Sequence, residues 1–405
     1  MNLDFALCPE PGHEAAVRRV LRGCVDFLAE RLDDRLVALV LTGSFSRGEG
    51  SVLPVGGHLR VLGDMEFLVV LPKESDYRTL RRQMLAWGRE ASATLGGGDL
   101  RVDIEFGPVE VEYLRRRARP SIFVYDLATY GKVVWGPADI LKEIPPFGPE
   151  HIPREDALHL IFNRTIEQLE AWERLATLDG EALLDVSYQR LKLTLDLAGS
   201  ALAFDGHHAT SYAARPAAFA GLLARDPQLA RLVPAAFGDD LRHAARAKLA
   251  PASDGFFALA GAPAEEQRAR LRAQILGSAP ALAGFLRWEL ERVLGVEAPL
   301  PELLARYARA PRLGRRVWDW AKIALHPMAS PMPLGPLRSA RLFWRSTPRA
   351  LLYTAGALAY LNLIHDHAPE TISRLLPVSR RATPRTAAAQ RQAIVSLWRW
   401  CVRNN

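Results

Sequence analysis

The sequence predicts an α+β chain in which a domain built on a mixed sheet is followed by all-helical segments. Short runs rich in Val, Leu and Ile, bounded by Gly, Pro or polar residues, fall before residue 150 and read as strands. From Arg154 onward such runs vanish, and apolar residues recur at helical spacing between Gly, Pro and Asp breaks. Strands segregated from helices along the chain point to α+β rather than to alternating α/β architecture. Composition agrees, because 405 residues with 49% apolar content suffice for two or three packed cores.

Taken in order, His13 to Asp33 places Ala16, Val17, Val20, Leu21, Val25, Leu28 and Leu32 on one helical face. Val37 to Leu41 reads as a buried strand that stops at Gly43-Ser44. A second strand, Phe67 to Leu71, opens directly after Asp64-Met65-Glu66. Between them, Ser51 to Arg60 reads as an inserted Gly-rich loop. Pro72 and the polar Lys73 to Asp76 end the second strand, Tyr77 to Thr94 is helical, and Gly96-Gly97-Gly98 breaks the chain. In Asp99 to Val109, Leu100, Val102, Ile104 and Phe106 alternate with Arg101, Asp103, Glu105 and Gly107, the pattern of a one-sided strand with both acids on its polar face.

A Pro-rich stretch, Pro145 to Pro153, separates this domain from helices expected at Arg154–Leu178, Glu181–Phe204, Asp239–Leu249, Glu265–Leu276 and Pro280–Leu294. Arg312 to Asn405 is basic, punctuated by prolines, and holds five of the nine tryptophans. The expected domains are therefore 1–150, 151–310 and 311–405.

The chemistry concentrates around the first two strands. Asp64 and Glu66, two residues apart on a strand, project to the same face. Carboxylates held side by side repel unless a cation lies between them. Gly43 and Ser44 leave the first strand with backbone N–H groups and a hydroxyl suited to a phosphate. A phosphate cradle beside a metal-binding carboxylate pair is the equipment for phosphoryl or nucleotidyl transfer.

The series GSFSRGEG followed by DME resembles the nucleotidyltransferase superfamily with the DNA polymerase β-like fold, and within it the bacterial branch containing aminoglycoside adenylyltransferases and stand-alone domains. The segment SIFVYDLATYGKVVWG, Ser121 to Gly136, is similar to a recurring helix-turn and strand of that family. One departure is the nineteen residues between Ser44 and Asp64.

The resemblance implies a catalytic domain followed by a helical domain closing the cleft, and an Mg²⁺-dependent enzyme using two metal ions. It further implies transfer of NMP, with AMP from ATP expected, to an acceptor hydroxyl, releasing pyrophosphate. Asp64 and Glu66 would be metal ligands. The third acid would be Asp103, with Glu105 on the same face as its substitute. Gly43 and Ser44 would hold the β- and γ-phosphates, and Arg47 would either contact the triphosphate or pair with Glu49. On the helix YQRLKLTLDLAGSALAF, Tyr188, Lys192 and Asp196 share a face. Lys192 would reach phosphates, or be a solvated helix lysine; Tyr188 would line the nucleotide pocket, or be core. The acceptor stays open between a small molecule, a protein and RNA.

Three cysteines with no metal spacing and no signal-peptide pattern at the start make a cytoplasmic protein the expectation. The net charge of +7 is carried by the C-terminal end, which has seven arginines and no acid after Glu370. That end could meet RNA or an anionic membrane surface, but the preferred reading is a helix, Ala387 to Val402, packed on the bundle with snorkelling arginines. His207-His208 and His365-Asp366-His367 lack the further ligands of a zinc site and read as surface histidines. A fold kept for nucleotide binding or scaffolding without catalysis is the competing expectation, and an RNA-modifying factor using the Arg-rich tail is a third.

Overall fold

The computed structural model describes residues 4–73, 77–251, 256–257, 262–326, 329–365 and 367–403. Residues 74–76, at the end of the second expected strand, and Asp366 lie outside the described residues. The fold is α+β. Five strands, β1 (Ala38–Leu41), β2 (Val52–Val55), β3 (His58–Leu71), β4 (Leu100–Glu110) and β5 (Lys132–Trp135), form one mixed sheet. The helices of the N-terminal region are α1 (Pro11–Leu32), the single turn α2 (Gly43–Ser46), α3 (Tyr77–Leu95) and α4 (Ile122–Tyr130). After these come α5 (Arg154–Arg174), α6 (Leu183–Phe204), α7 (Arg215–Arg225), α8 (Pro227–Leu232), α9 (Phe237–Leu249), α10 (Ala264–Gly277) and α11 (Ala279–Leu294). The last six are α12 (Leu300–Arg309), α13 (Leu313–Ala324), α14 (Pro336–Phe343), α15 (Pro348–Leu361), α16 (Glu370–Leu375) and α17 (Ala387–Trp398). The chain forms two compact units: Met1–Asp156 with Leu202–Phe219 and Asp239–Gly261, and Ala157–Ala201 with Ala220–Gly238 and Ala262–Asn405.

In the first unit, β3 is the strand on which the sheet is built. One edge pairs antiparallel with β2 over Val52 to Val55 and then with β1 over Ala38 to Leu41; the other pairs parallel with β4. The expected insert loop is thus a hairpin. Val52, Leu53, Val61 and Leu62 are buried, and Gly56-Gly57 supplies its two-residue turn. The connection from β3 to its parallel neighbour runs through α3, which packs on β4.

Because side chains alternate along each strand, the sheet has two apolar faces. Leu39, Leu41, Phe67, Val69, Ile104 and Phe106 bury against α1 and α3. On the opposite face Ala38, Val40, Leu68 and Val70 bury against Leu114 and against Val124 and Leu127 of α4. The alternation read in β4 holds along Leu100 to Gly107, with Asp103 and Glu105 both exposed.

The core of the second unit is rich in aromatic contacts. Phe162 stacks on Tyr353 with ring centres 4.9 Å apart, and Asn163 Oδ1 accepts from both Tyr353 Oη (2.8 Å) and Trp398 Nε1 (2.9 Å). The uncharged apolar run beginning at Ala350 is the buried helix α15. No helix among the described residues is long and apolar enough to cross a membrane. The C-terminal helix is packed, with Trp398 and Trp400 buried, and Arg391 and Arg399 pair with Glu173 and Glu170 of α5.

Glu289 in this unit is buried with no cation paired to it among the described residues. Ser200 Oγ lies 2.7 Å from the Ala157 carbonyl and 2.6 Å from Glu289 Oε1. A hydroxyl has one proton to donate, so when Ser200 donates to Ala157 the Glu289 contact requires a proton on Glu289. Burial agrees, pushing the Glu289 pKa up from 4.5 to about 8, and Oε2 has no hydrogen-bond partner among the described residues.

Between pH 4.5 and about 8 the folded state keeps a proton that the unfolded state has released, so Glu289 costs increasing stability as pH rises through this window and nothing further above it. Glu289→Gln is expected to remove a slope approaching 1.4 kcal/mol per pH unit, on the order of one proton's linkage, and to stabilise the protein at neutral pH. Urea denaturation across the window measures this; a wild type and variant with parallel pH profiles would contradict it.

Candidate functional site

Strand β3 brings the acids together through its register. Between Arg60 and Asp64 the pairing with β4 shifts, so Arg60 stands opposite Arg101 but Asp64 opposite Asp103, leaving two extra residues on β3. Gly63, with φ +97°, takes up this bulge in a conformation that L side chains rarely adopt. Beyond it the strands run in step, and Glu66 faces Glu105. Asp64 and Glu66 share the side-chain face of Leu68 and Val70, placing them where the apolar cover of that face ends.

Asp64, Glu66 and Glu105 each present a carboxylate oxygen such that all three lie within 4.8 Å of one another, the only such cluster of acids, His or Cys among the described residues. Of the two candidates for the third acid, the geometry brings Glu105 into the group. Asp103 stands opposite Asp64 in register but is not a member. Three carboxylates at this spacing repel strongly, and an oxygen-only donor set matches a hard divalent cation such as Mg²⁺.

Gly43 and Ser44 adjoin this group. Thr42 donates its N–H to the Glu66 carbonyl (2.9 Å), which ties the end of β1 to the acid-bearing strand. Gly43 has φ +68°, and a Cβ there would lie 2.6 Å from Glu66 Oε2. The positive φ favours glycine at this position, and the missing side chain leaves the Glu66 carboxylate where it is. Ser44 is half-buried, and its carbonyl accepts from the N–H groups of Arg47 (3.2 Å) and Glu49 (2.9 Å), which folds the loop back on itself.

Arg47 is paired with Glu49, one of the two roles expected for it. Its Nε donates to Glu49 Oε2 (3.1 Å), its guanidinium lies 3.8 Å from Asp126, and its side chain is 7% exposed. Burial alone would lower its pKa, but Tyr212, Asp126 and Glu49 outweigh this and raise it. Glu49 in turn accepts from Ser211 Oγ (2.8 Å) and the Tyr212 N–H (3.0 Å). Lys248, fully buried, donates to the Glu49 carbonyl (3.0 Å) and Ser51 Oγ (2.7 Å). Asp126 accepts from Thr210 Oγ1 (2.8 Å) and contacts His208 Nε2 (2.9 Å).

His208, expected at the surface, therefore has a buried ring engaged in this network. The sequence offered no local sign of it, because its partners lie more than eighty residues away. His365 and His367 have ring centres 6.0 Å apart and belong to no metal-ligand group among the described residues.

Tyr188 and Lys192 belong to the second unit. Tyr188 is buried, and Lys192 Nζ lies 5.9 Å from the centre of its ring. Asp196 accepts from Arg164 Nε at 2.6 Å.

No protein-family model and no curated protein matches the chain. Among solved structures, a spectinomycin adenyltransferase from Enterococcus faecialis, determined with ATP and spectinomycin, aligns over 64% of this chain and 98% of its own, at 13% identity and a TM-score of 0.36.

Glu49→Ala would leave Arg47 buried without one of its carboxylate partners and strip an acceptor from Ser211 and Tyr212. A loss of about 3 kcal/mol in unfolding free energy is expected from breaking such a buried pair. Urea denaturation at neutral pH tests it, and a loss under about 1 kcal/mol, the size for an exposed pair, would contradict it.

Proposed function

We propose that this chain is a nucleotidyltransferase that transfers a nucleoside monophosphate, AMP from ATP in the first instance, to the hydroxyl of an acceptor. The observation that carries the reading is the cluster of Asp64, Glu66 and Glu105 carboxylates directly beside Gly43-Ser44. The GSFSRGEG and DME motifs add their resemblance to it.

The chain's own residues have distinct tasks. Asp64, Glu66 and Glu105 would hold Mg²⁺, which when bound supplies charge neutralisation for the triphosphate and acidifies a nearby hydroxyl. Gly43 and Ser44 offer backbone N–H and hydroxyl groups to phosphate oxygens, with no side chain at position 43 to block their approach. Glu105, the most exposed of the three, is the group suited to accept the proton of the incoming hydroxyl. The acceptor oxygen forms a bond to the α-phosphorus, the bond from that phosphorus to the bridging oxygen breaks, and pyrophosphate departs.

Arg47 acts as a positioning residue, fixing the loop through Glu49 and Asp126 rather than meeting the phosphates. Lys192 and Tyr188 are assigned from the resemblance to the phosphates and the base. The 1–150, 151–310 and 311–405 division is retained as the functional plan, with nucleotide chemistry in the first part.

Calorimetric titration of a non-hydrolysable ATP analogue, with and without Mg²⁺, tests the reading. Metal-dependent binding is expected for the wild type and its loss in Asp64→Ala/Glu66→Ala. No binding by the wild type, or binding indifferent to metal and to both carboxylates, would leave a non-catalytic scaffold as the better account. A second comparison separates the acids: Glu105→Gln is expected to weaken Mn²⁺ binding roughly tenfold or more, while Asp103→Asn leaves it nearly unchanged. Electron paramagnetic resonance of free Mn²⁺ measures both, and the reverse ranking would return the third position to Asp103.

A further inference from the structure

Most of the large apolar side chains exposed among the described residues come from one stretch of the chain. Of the nine large hydrophobic residues exposed among the described residues, six lie between positions 313 and 344: Leu313, Val317, Trp318, Leu325, Leu337 and Trp344. They come from α13, its C-terminal cap, and α14 with its cap, and the two helices contact each other within the second unit. Scattered exposed hydrophobics need no explanation, but a concentration of this kind marks an interaction site.

The arrangement on α13 is ordered. At about 100° per residue, Leu313, Val317, Ala321, Leu325 and Trp318 fall on one arc of roughly 140°. Leu313, Val317, Trp318 and Leu325 are between 50% and 70% exposed, so this apolar arc faces away from the protein rather than into its core. The helix is anchored beside this arc, where Trp320, next to Leu313 on the wheel, donates its indole N–H to the Ser346 carbonyl (3.0 Å), and on the far side, where Arg316 donates to the carbonyls of Pro311 (2.7 Å) and Trp344. α13 buries none of its residues fully. An amphipathic helix normally puts its apolar stripe inward. This one is inverted.

The apolar arc is rimmed by positive charge. Positions 312 to 345 hold seven basic residues and the single acid Asp319, a net charge of +6. Arg312, Arg315, Lys322, Arg341 and Arg345 are exposed. Arg315 lies 3.0 Å from Asp319, and Lys322 lies 5.6 Å from the Trp318 ring centre.

We propose that the α13–α14 face docks the protein on the surface of an anionic lipid bilayer. Leucine and tryptophan side chains exposed beside arginines and a lysine are the chemistry of interfacial binding: the apolar groups enter the acyl boundary while the cations meet lipid phosphates. Tryptophan suits the interface because one end is apolar and the other polar. A second copy of the chain fits less well, because a self-complementary contact would bring the cationic rim against itself. A nucleic-acid backbone would engage the arginines but leave Leu313, Val317 and Leu325 without a counterpart.

The test uses the full chain and sedimentation with vesicles of phosphatidylcholine alone or with roughly a third phosphatidylglycerol. Binding is expected to the anionic vesicles only, to weaken with added salt, and to fall roughly tenfold or more in Trp318→Ala/Leu325→Ala/Trp344→Ala. Arg312→Glu/Lys322→Glu/Arg341→Glu, which keeps the apolar arc, is expected to lose it as well and decides the matter should the first variant melt below the wild type. Absence of sedimentation would overturn the proposal, as would equal binding by both variants and wild type. A concentration-dependent dimer in light scattering that the apolar variant abolishes, or tighter binding to duplex DNA or RNA than to vesicles, would overturn it too.

Discussion

The first unit is organised around an electrostatic conflict that its sheet enforces. Asp64, Glu66 and Glu105 are held on adjacent strands with oxygens within 4.8 Å of one another. Side chains in that position cannot escape cheaply, because β3 pairs on both edges and its alternate residues, Met65, Phe67 and Val69, are fixed in the core. A cation placed among the three oxygens would relieve that repulsion.

The loop beside the acids is held as firmly as the acids themselves. The GSFSRGEG segment buries Arg47 and Glu49 and ties them to Asp126, Ser211, Tyr212 and Lys248, residues from three separate stretches of the chain. Tyr212 has three cations near its ring, with Arg47, Arg215 and Lys248 at 5.2, 4.6 and 5.2 Å from its centre. A loop that must present backbone N–H groups in one orientation gains from such anchoring, since a catalytic or binding geometry survives only when the groups behind it are fixed.

Local signals in the sequence were sufficient for the strands around the acids and for most helices. The strand stop ahead of Gly43-Ser44, the one-sided alternation of β4 and the helices α5, α6, α9, α10 and α11 follow from apolar periodicity and its breaks, whereas α7, α8 and α12 to α16 were not placed by it. Choosing between Asp103 and Glu105 was beyond those signals, because both lie on the same exposed face of β4 and each stands opposite an acid of β3. The pairing of β4 with β3 is displaced by the bulge at Gly63, which lies between the hairpin formed by the expected loop, Ser51 to Arg60, and the acids. Equally silent were Ser211 and Tyr212 as partners of Glu49, 162 and 163 residues away, and the return of residues 202–219 and 239–261 to the first unit. Contacts of that sequence separation leave no periodic trace. α13 itself and the outward turn of its apolar arc were also hidden.

Diffraction from crystals grown with Mn²⁺ and a non-hydrolysable ATP analogue, collected at the manganese absorption edge, addresses the central claim most directly. An anomalous peak among the carboxylates of Asp64, Glu66 and Glu105, with the triphosphate against Gly43 and Ser44, is the result this account predicts. Nucleotide bound elsewhere, or manganese absent from the three acids at saturating concentration, would contradict it.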